Sequence, residues 1–372
     1  MLKKCARALV FLAIAAAPGV ALATSQTAVL MVVSSHGKDG GATNPGYEFD
    51  EFAKAYLVFR DHGLTVDVAS PAGGPVEAGK FDPQAPYNAL VLNDSMAMAT
   101  LAQTIPTSDV DADDYAAVFV IGGKGAMFDL PGDRHLQSLI ADLYEGGGVV
   151  SAICHGPAAL VDVRLSTGEY LLTGKRVNGF TNVEEQTFSS EWIERYPFKL
   201  EDRLVERGAV FNSSPIMLSH VEQDGQLITG QNPLSTTDAA MAVVRALGVE
   251  AQAPRVFAED ATIALITRVL DDDEAALKEL QVAVEEYQVE LVGMYGYYYL
   301  KLAENPAQIQ HALTLMQAAN EIMQHPVIAM KIIEAHQMLG QADIALAKAR
   351  RLAKAMPDDE RVRALLASVE PG

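Results

Sequence analysis

Cys154 follows the apolar run Val149-Val150-Ser151-Ala152-Ile153 and leads into His155-Gly156-Pro157-Ala158-Ala159-Leu160. A thiol delivered by a buried strand to the start of a helix is a candidate nucleophile, and an adjacent imidazole can carry its proton. Such a reversal is tight and strained, so the residues two before and two after the nucleophile need small side chains. Here they are Ala152 and Gly156. The helix expected to follow would turn free backbone N–H groups toward the sulfur and lower its pKa. An inert buried cysteine is the competing reading; the elbow spacing favours the reactive one, and the chain reads as a thiol-based enzyme.

The elements that must position this group fall into two unlike parts. Residues 24–250 alternate short apolar runs with helical segments, the pattern of a parallel sheet covered by helices. Strands are predicted at Ala28–Val33, Thr65–Ala69, Ala116–Ile121 and Val149–Ile153, and helices at Phe49–His62, Arg134–Glu145 and Thr237–Leu247. Asp224-Gly225 reads as the turn of a hairpin joining Met217–Glu222 to Gln226–Thr229. Chemistry in an open α/β sheet gathers at the carboxyl ends of its strands. Ser34-Ser35-His36-Gly37, Gly122-Gly123-Lys124-Gly125 and Cys154 each follow a predicted strand and converge there.

A linker at 251–260 precedes residues 261–372, which read as entirely helical. Val327–Leu339, the Gly340 break and Ala342–Ala355, closed by Pro357, resemble a tetratricopeptide repeat, with Val289–Leu302 and Ile309–Met323 as a second pair. So few repeats do not stand alone, so the tail is expected to pack on the catalytic part, on itself or on another subunit. Tyr295, Tyr297, Tyr298 and Tyr299 read as helix packing ahead of a recognition surface.

Lys3, Lys4 and Arg7 precede an apolar stretch from Ala8 to Ala17, and Ala21-Leu22-Ala23 supplies a small-x-small cleavage pattern. Residues 1–23 therefore read as a signal peptide cut after Ala23, and the mature chain as exported to the periplasm. Cys5 leaves with the signal, so no internal disulfide is expected. Removing three of 28 basic residues and none of the 48 acidic ones leaves 25 against 48, or −23. That charge argues against nucleic acid and anionic membrane as partners. No later stretch has the roughly 20 uninterrupted apolar residues of a membrane helix. The histidines lack metal-ligand spacing, so no metal is expected. His220-x-Glu222 is similar to the His-x-Glu of class I glutamine amidotransferases, but alternation explains it as exposed strand.

The stretch from Tyr115 to Pro131, with Ile121-Gly122-Gly123-Lys124-Gly125-Ala126-Met127-Phe128-Asp129, and the stretch Ala152-Ile153-Cys154-His155-Gly156-Pro157 resemble the ThiJ/PfpI superfamily of the class I glutamine amidotransferase-like fold. Gly174–Glu185 and Asp224–Pro233 extend the match to the branch holding heat-shock-type chaperones and glyoxalase III proteins. The resemblance implies a flavodoxin-like parallel sheet sandwiched by helices, ahead of the all-α helical-repeat tail, which it does not cover. It implies a Cys-His-acid site with a further glutamate beside the sulfur and no cofactor. The segment Gly46-Tyr47-Glu48-Phe49-Asp50-Glu51 matches the source of that glutamate and favours Glu51, with Glu48 and Asp50 as competitors. The acid on His155 is expected to be Glu185, with Glu184 as rival.

Gly122 and Gly123 would bring backbone N–H groups to a developing oxyanion, or form a plain tight turn, and Gly125 completes the loop. Many relatives carry histidine where this chain has Lys124. The activity implied is cofactor-free conversion of small reactive carbonyls, methylglyoxal to lactate, by Cys154, His155, Glu51 and Glu185. Alternatives are a protein deglycase and a periplasmic holdase or docking protein whose tail binds a protein or peptide, with thiol peptidase a weaker choice. Dimers are common in the superfamily, so a homo-oligomer is expected.

Overall fold

The computed structural model describes residues 28–370; the expected signal segment and the expected cleavage site after Ala23 lie outside the described residues. Strands β1 (Ala28–Val32), β2 (Thr65–Ser70), β3 (Ile105–Pro106), β4 (Ala117–Val120), β5 (Val149–Ile153), β8 (Val221–Asp224) and β9 (Leu227–Gly230) form one sheet, ordered β3-β2-β1-β4-β5-β9-β8. All neighbours pair in parallel except β8 and β9. The inner order β2-β1-β4-β5-β9 is the flavodoxin-like arrangement, with its crevice beyond the carboxyl ends of β1, β4 and β5. Every residue of β4, β5 and β9, and all of β1 after Ala28, is buried. Both faces of these strands are covered, so they read as continuous apolar runs.

Helices α1 (Phe49–Asp61), α2 (Arg134–Glu145), α3 (Asn182–Phe188) and α4 (Thr236–Ala246) belong to this domain, with several shorter ones. Helix α2 keeps its expected bounds, α1 ends one residue early, α4 begins and ends one residue early, and α3 is an addition; α1 stops before Gly63, whose φ of +72° breaks it. The hairpin turn lies one residue later than expected. Asp224 pairs with Leu227, so Gly225 and Gln226 make the turn, with Gly225 at φ +64°. Its first strand begins only at Val221, because residues 215–218 are a turn with Met217 at φ +53°. Strand β3 and a second sheet of β6 (Arg176–Val177) and β7 (Val210–Phe211) went unanticipated, being two residues long with no period to detect.

The tail comprises α5 (Ala258–Leu270), α6 (Glu274–Val282), α7 (Val289–Lys301), α8 (Pro306–Met323), α9 (Pro326–Met338), α10 (Ala342–Ala355) and α11 (Glu360–Val369). It starts at residue 258, not 261, because the Asp260 carboxylate accepts a hydrogen bond from the Phe257 N–H at 3.3 Å and closes the first turn. The linker therefore shrinks to residues 249–257. From α7 onward each helix packs on the next. Gly296 permits the close approach of α7 and α8, since a Cβ there would lie 2.8 Å from Met316 Cγ.

Of the arrangements expected, the tail adopts packing on the catalytic domain. Leu218 of the catalytic domain is buried in the tail's apolar cluster with Ile266, Val292 and Tyr295. Lys54 of α1, 2% exposed, places Nζ 2.6 Å from Glu259 Oε2 and 2.7 Å from Asp260 Oδ1. A buried ammonium needs such partners. The two carboxylates raise its pKa against the opposing effect of burial.

Candidate active site

Strand β5 ends on Cys154, which is held at φ +58°, a conformation unfavourable for a residue with a Cβ. The strain persists because both sides of the residue are bonded. Its N–H donates to Gly230 O at 2.9 Å, and its carbonyl accepts from Phe180 N at 2.8 Å. Gly156 is small by necessity, since a Cβ there would lie 2.5 Å from Val120 O. The segment after the elbow corrects one expectation. Gly156–Leu160 is a five-residue 3-10 turn, buried throughout, and not an α-helix aiming several amides at the sulfur. Cys154 is 3% exposed, and burial pushes its thiol up, not down. The charge of Glu51 adds to that rise, while the Gly123 amide pulls the other way.

His155, 2% exposed, sets Nδ1 3.3 Å from Cys154 Sγ and Nε2 2.8 Å from Glu185 Oε1. A Glu185 carboxylate in that position accepts from Nε2–H and leaves the Nδ1 lone pair facing the thiol, the tautomer a base requires. Glu184 is fully committed elsewhere. It forms a capping box with Thr181 at the start of α3. Its other oxygen accepts from Met217 N at 2.9 Å, Gln231 Nε2 at 3.0 Å and Asn232 Nδ2 at 2.9 Å. The next residue of the helix, Glu185, is the one turned to the imidazole.

The three acids at the start of α1 divide their tasks. Glu51, fully buried, accepts from Gly122 N at 2.7 Å, which holds its carboxyl against the elbow at Cys154. Burial, then the charge of Glu48, raises its carboxyl well above the usual range, which favours the protonated form. Asp50 is bound instead by Asn88 Nδ2 at 2.5 Å. Glu48 lines the cavity above the sulfur, where burial of its carboxyl and the charge of Asp50 push it up to about 8 against the pull of Lys124.

The glycine loop sits against this array. A Cβ on Gly122 would lie 2.8 Å from Cys154 Cβ, and one on Gly123, at φ +89°, would lie 2.4 Å from Glu48 N. The oxyanion expectation changes here. The Gly122 amide is engaged by Glu51, leaving the Gly123 amide as the donor at the sulfur. Gly125 donates to Gly46 O at 3.0 Å and so anchors the loop. Asp129 fixes the segment after β1, accepting from Ser34 Oγ at 2.8 Å and Ser35 N at 2.7 Å; burial pushes it up to about 6.

Cys154, His155 and Gly123 open into a cavity of about 570 Å³ walled by Glu48, Lys124, Phe180, Phe188, Trp192 and Met217. Sequence reasoning missed its aromatic wall, because Phe180, Phe188 and Trp192 sit in a loop, at the end of a short helix and in the turn after it, with no common period. His220 lies beside the edge strand, half-buried, with Nε2 3.3 Å from Glu222 Oε1. Among the described residues no group of three or more His, Cys, Asp or Glu is placed to hold a metal ion, and no helix is long and apolar enough to cross a membrane.

The model of the DJ-1/PfpI family matches residues 42–246, which contain Cys154, His155, Glu51, Glu185 and the glycine loop and none of the tail. A protein of Schizosaccharomyces pombe named glutathione-independent glyoxalase hsp3101 is 31% identical over 245 residues, 59% of this chain and 96% of its own. Glutathione-independent glyoxalase HSP31 of Saccharomyces cerevisiae is 33% identical over 241 residues, 59% of this chain and 97% of its own. Among solved structures, glyoxalase III from Candida albicans superposes with a TM-score of 0.55 at 26% identity, covering 60% of this chain and 98% of that one.

Proposed function

The chain belongs to the DJ-1/PfpI family, and from that membership and the Cys154 array we propose a glutathione-independent enzyme that isomerises 2-oxoaldehydes such as methylglyoxal to 2-hydroxy acids. The names of the relatives, glutathione-independent glyoxalase and glyoxalase III, support the reaction. The observation that carries it is Glu51, a fully buried carboxyl held at 2.7 Å by the Gly122 amide at the Cys154 elbow, where burial raises its pKa. A thiol peptidase has no need of a proton donor there, whereas shifting hydrogen between adjacent carbons requires a group that both gives and takes a proton.

In this reading Cys154 Sγ bonds to the aldehyde carbon as its proton passes to His155 Nδ1, and Glu51 protonates the aldehyde oxygen beside the Gly123 amide. The Glu51 carboxylate then removes the aldehyde C–H as protonated His155 gives its proton to the ketone oxygen, forming an enediol. Glu51 returns the proton to the second carbon while the first hydroxyl yields its own to His155, leaving an S-lactoyl thioester. Water cleaves that bond, releasing lactate and a proton and restoring the thiol, and the proton held by His155 passes to the Glu51 carboxylate, which resets both groups. Carbon is oxidised at one atom and reduced at its neighbour, so no external oxidant or cofactor enters.

The test is lactate formation from methylglyoxal without glutathione by wild-type protein and by Cys154→Ser. Turnover lost in the variant supports the reading; absence of turnover by folded, reduced wild type overturns it. We also propose that the mature chain is exported, on the strength of the basic and apolar start before Ala23. An N-terminus at Thr24 in the periplasmic fraction is the expected outcome of sequencing the native protein, and an uncleaved cytoplasmic chain the contrary one.

A further inference from the structure

Helix α3 carries the acid of the candidate site and one wall of the cavity on the same short element. Glu185 bonds His155 at 2.8 Å, and one turn later Phe188 faces the cavity. Seven residues give such a helix little stability of its own, so what packs behind it decides where both groups stand. Behind it is the tail. The Phe188 ring meets Tyr298 of α7 edge to face, with centroids 5.2 Å apart. Tyr298 in turn meets Tyr297 at 5.2 Å and 90°. One turn earlier on α7, buried Tyr295 lies near enough to Glu184 for that charge to help raise its phenol. Met217, another wall residue, is tied to Glu184 and is followed by Leu218, which sits in the tail's core.

We propose that the helical tail is part of the substrate site, with Tyr298 holding Phe188 as an aromatic wall, and that the site takes 2-oxoaldehydes carrying a flat apolar arm. The substrate class rests on the 2-oxoaldehyde reading above; the wall does not. A cavity of about 570 Å³ falls in the range of roughly 300–1,000 Å³ typical of pockets for ligands far larger than a three-carbon dicarbonyl. Phe180, Phe188 and Trp192 give that surplus space aromatic faces and edges, against which a planar arm stacks. Tyr298 does not line the cavity, so it is a positioning residue acting through Phe188.

The experiment compares wild type, Tyr298→Leu, which removes the ring while filling its space, and Tyr298→Phe, which keeps the ring. The first readout is the ratio of kcat/KM for phenylglyoxal to that for methylglyoxal. The second needs no turnover: the ratio of Cys154 alkylation rates with N-phenylmaleimide and N-ethylmaleimide. An aromatic pair contributes about 0.5–1.5 kcal/mol, so both ratios should fall about two- to twelvefold in Tyr298→Leu. Tyr298→Phe should restore them. A wild type that prefers methylglyoxal, or a folded Tyr298→Leu with both ratios unchanged, overturns the proposal. Wild type inactive toward every 2-oxoaldehyde, yet with the maleimide ratio lowered in Tyr298→Leu, leaves the tail-supported wall standing and removes the reaction.

Discussion

Glu185→Gln isolates one charge in an otherwise unchanged array. The glutamine carbonyl can still accept from His155 Nε2–H, so the tautomer and the ring position are retained. What disappears is the attraction between a carboxylate and the imidazolium that forms as His155 takes the thiol proton. At 2.8 Å and an effective dielectric of about 20, that attraction is on the order of 6 kcal/mol. The neutral hydrogen bond that remains is worth about 1 kcal/mol. Screening through the open cavity reduces the rest, so the expected loss is about 3–4 kcal/mol, or roughly 10²–10³-fold in kcat/KM. The assay is the initial rate with methylglyoxal under reducing conditions, alongside thermal unfolding to verify the fold. The loss should fall mainly on kcat, because the charge arises after substrate binds. A folded Glu185→Gln retaining more than about a tenth of wild-type activity would refute the role assigned to this pair.

Gly123→Ala places a Cβ 2.4 Å from Glu48 N at φ +89°; it should cost at least about 2 kcal/mol on denaturant unfolding and most of the activity. Glu48→Gln removes a charge that raises the Glu51 carboxyl, so the alkaline limb of the kcat/KM profile, which reports loss of the Glu51 proton, should move to lower pH. An unmoved limb would detach Glu51 from that limb. Glu259→Gln with Asp260→Asn leaves the buried Lys54 ammonium uncompensated and should destabilise the full chain by about 3 kcal/mol. Because the carboxylates raise the Lys54 pKa, that stabilisation is fully present below the unfolded value of about 10.4 and is lost as pH rises through the higher folded value. Equal stability of variant and wild type at neutral pH would contradict it.

The catalytic domain was legible because its strands are buried on both faces. The run from Val149 to Ile153 must be apolar, and Ala152 and Gly156 must be small, for a buried elbow to form at all. The division of labour among the acids was less legible, although one signal was present. Thr181-Asn182-Val183-Glu184 has the capping-box spacing, which commits Glu184 to the helix start and leaves Glu185 for His155. No comparable signal distinguishes Glu48, Asp50 and Glu51, because burial and proximity to Cys154 are set by how α1 docks. The state of the sulfur was misjudged for the same reason: helix-favouring residues after Cys154 do not reveal a 3-10 turn or the depth of burial. Contacts such as Lys54 with Glu259, 205 residues apart, leave no local pattern, so packing of the tail on the catalytic part was one expectation among three and the residues that join them were not legible.

Methylglyoxal turnover in deuterium oxide, with the lactate examined by proton NMR, tests the central claim most directly. Because Glu51 carries the abstracted proton from the first carbon to the second, the account predicts lactate formed without glutathione, with solvent deuterium at its second carbon only to the extent that the Glu51 proton exchanges before it returns. Lactate formed at an undiminished rate by a folded Glu51→Gln variant would contradict the account, as would failure of the folded, reduced protein to form lactate.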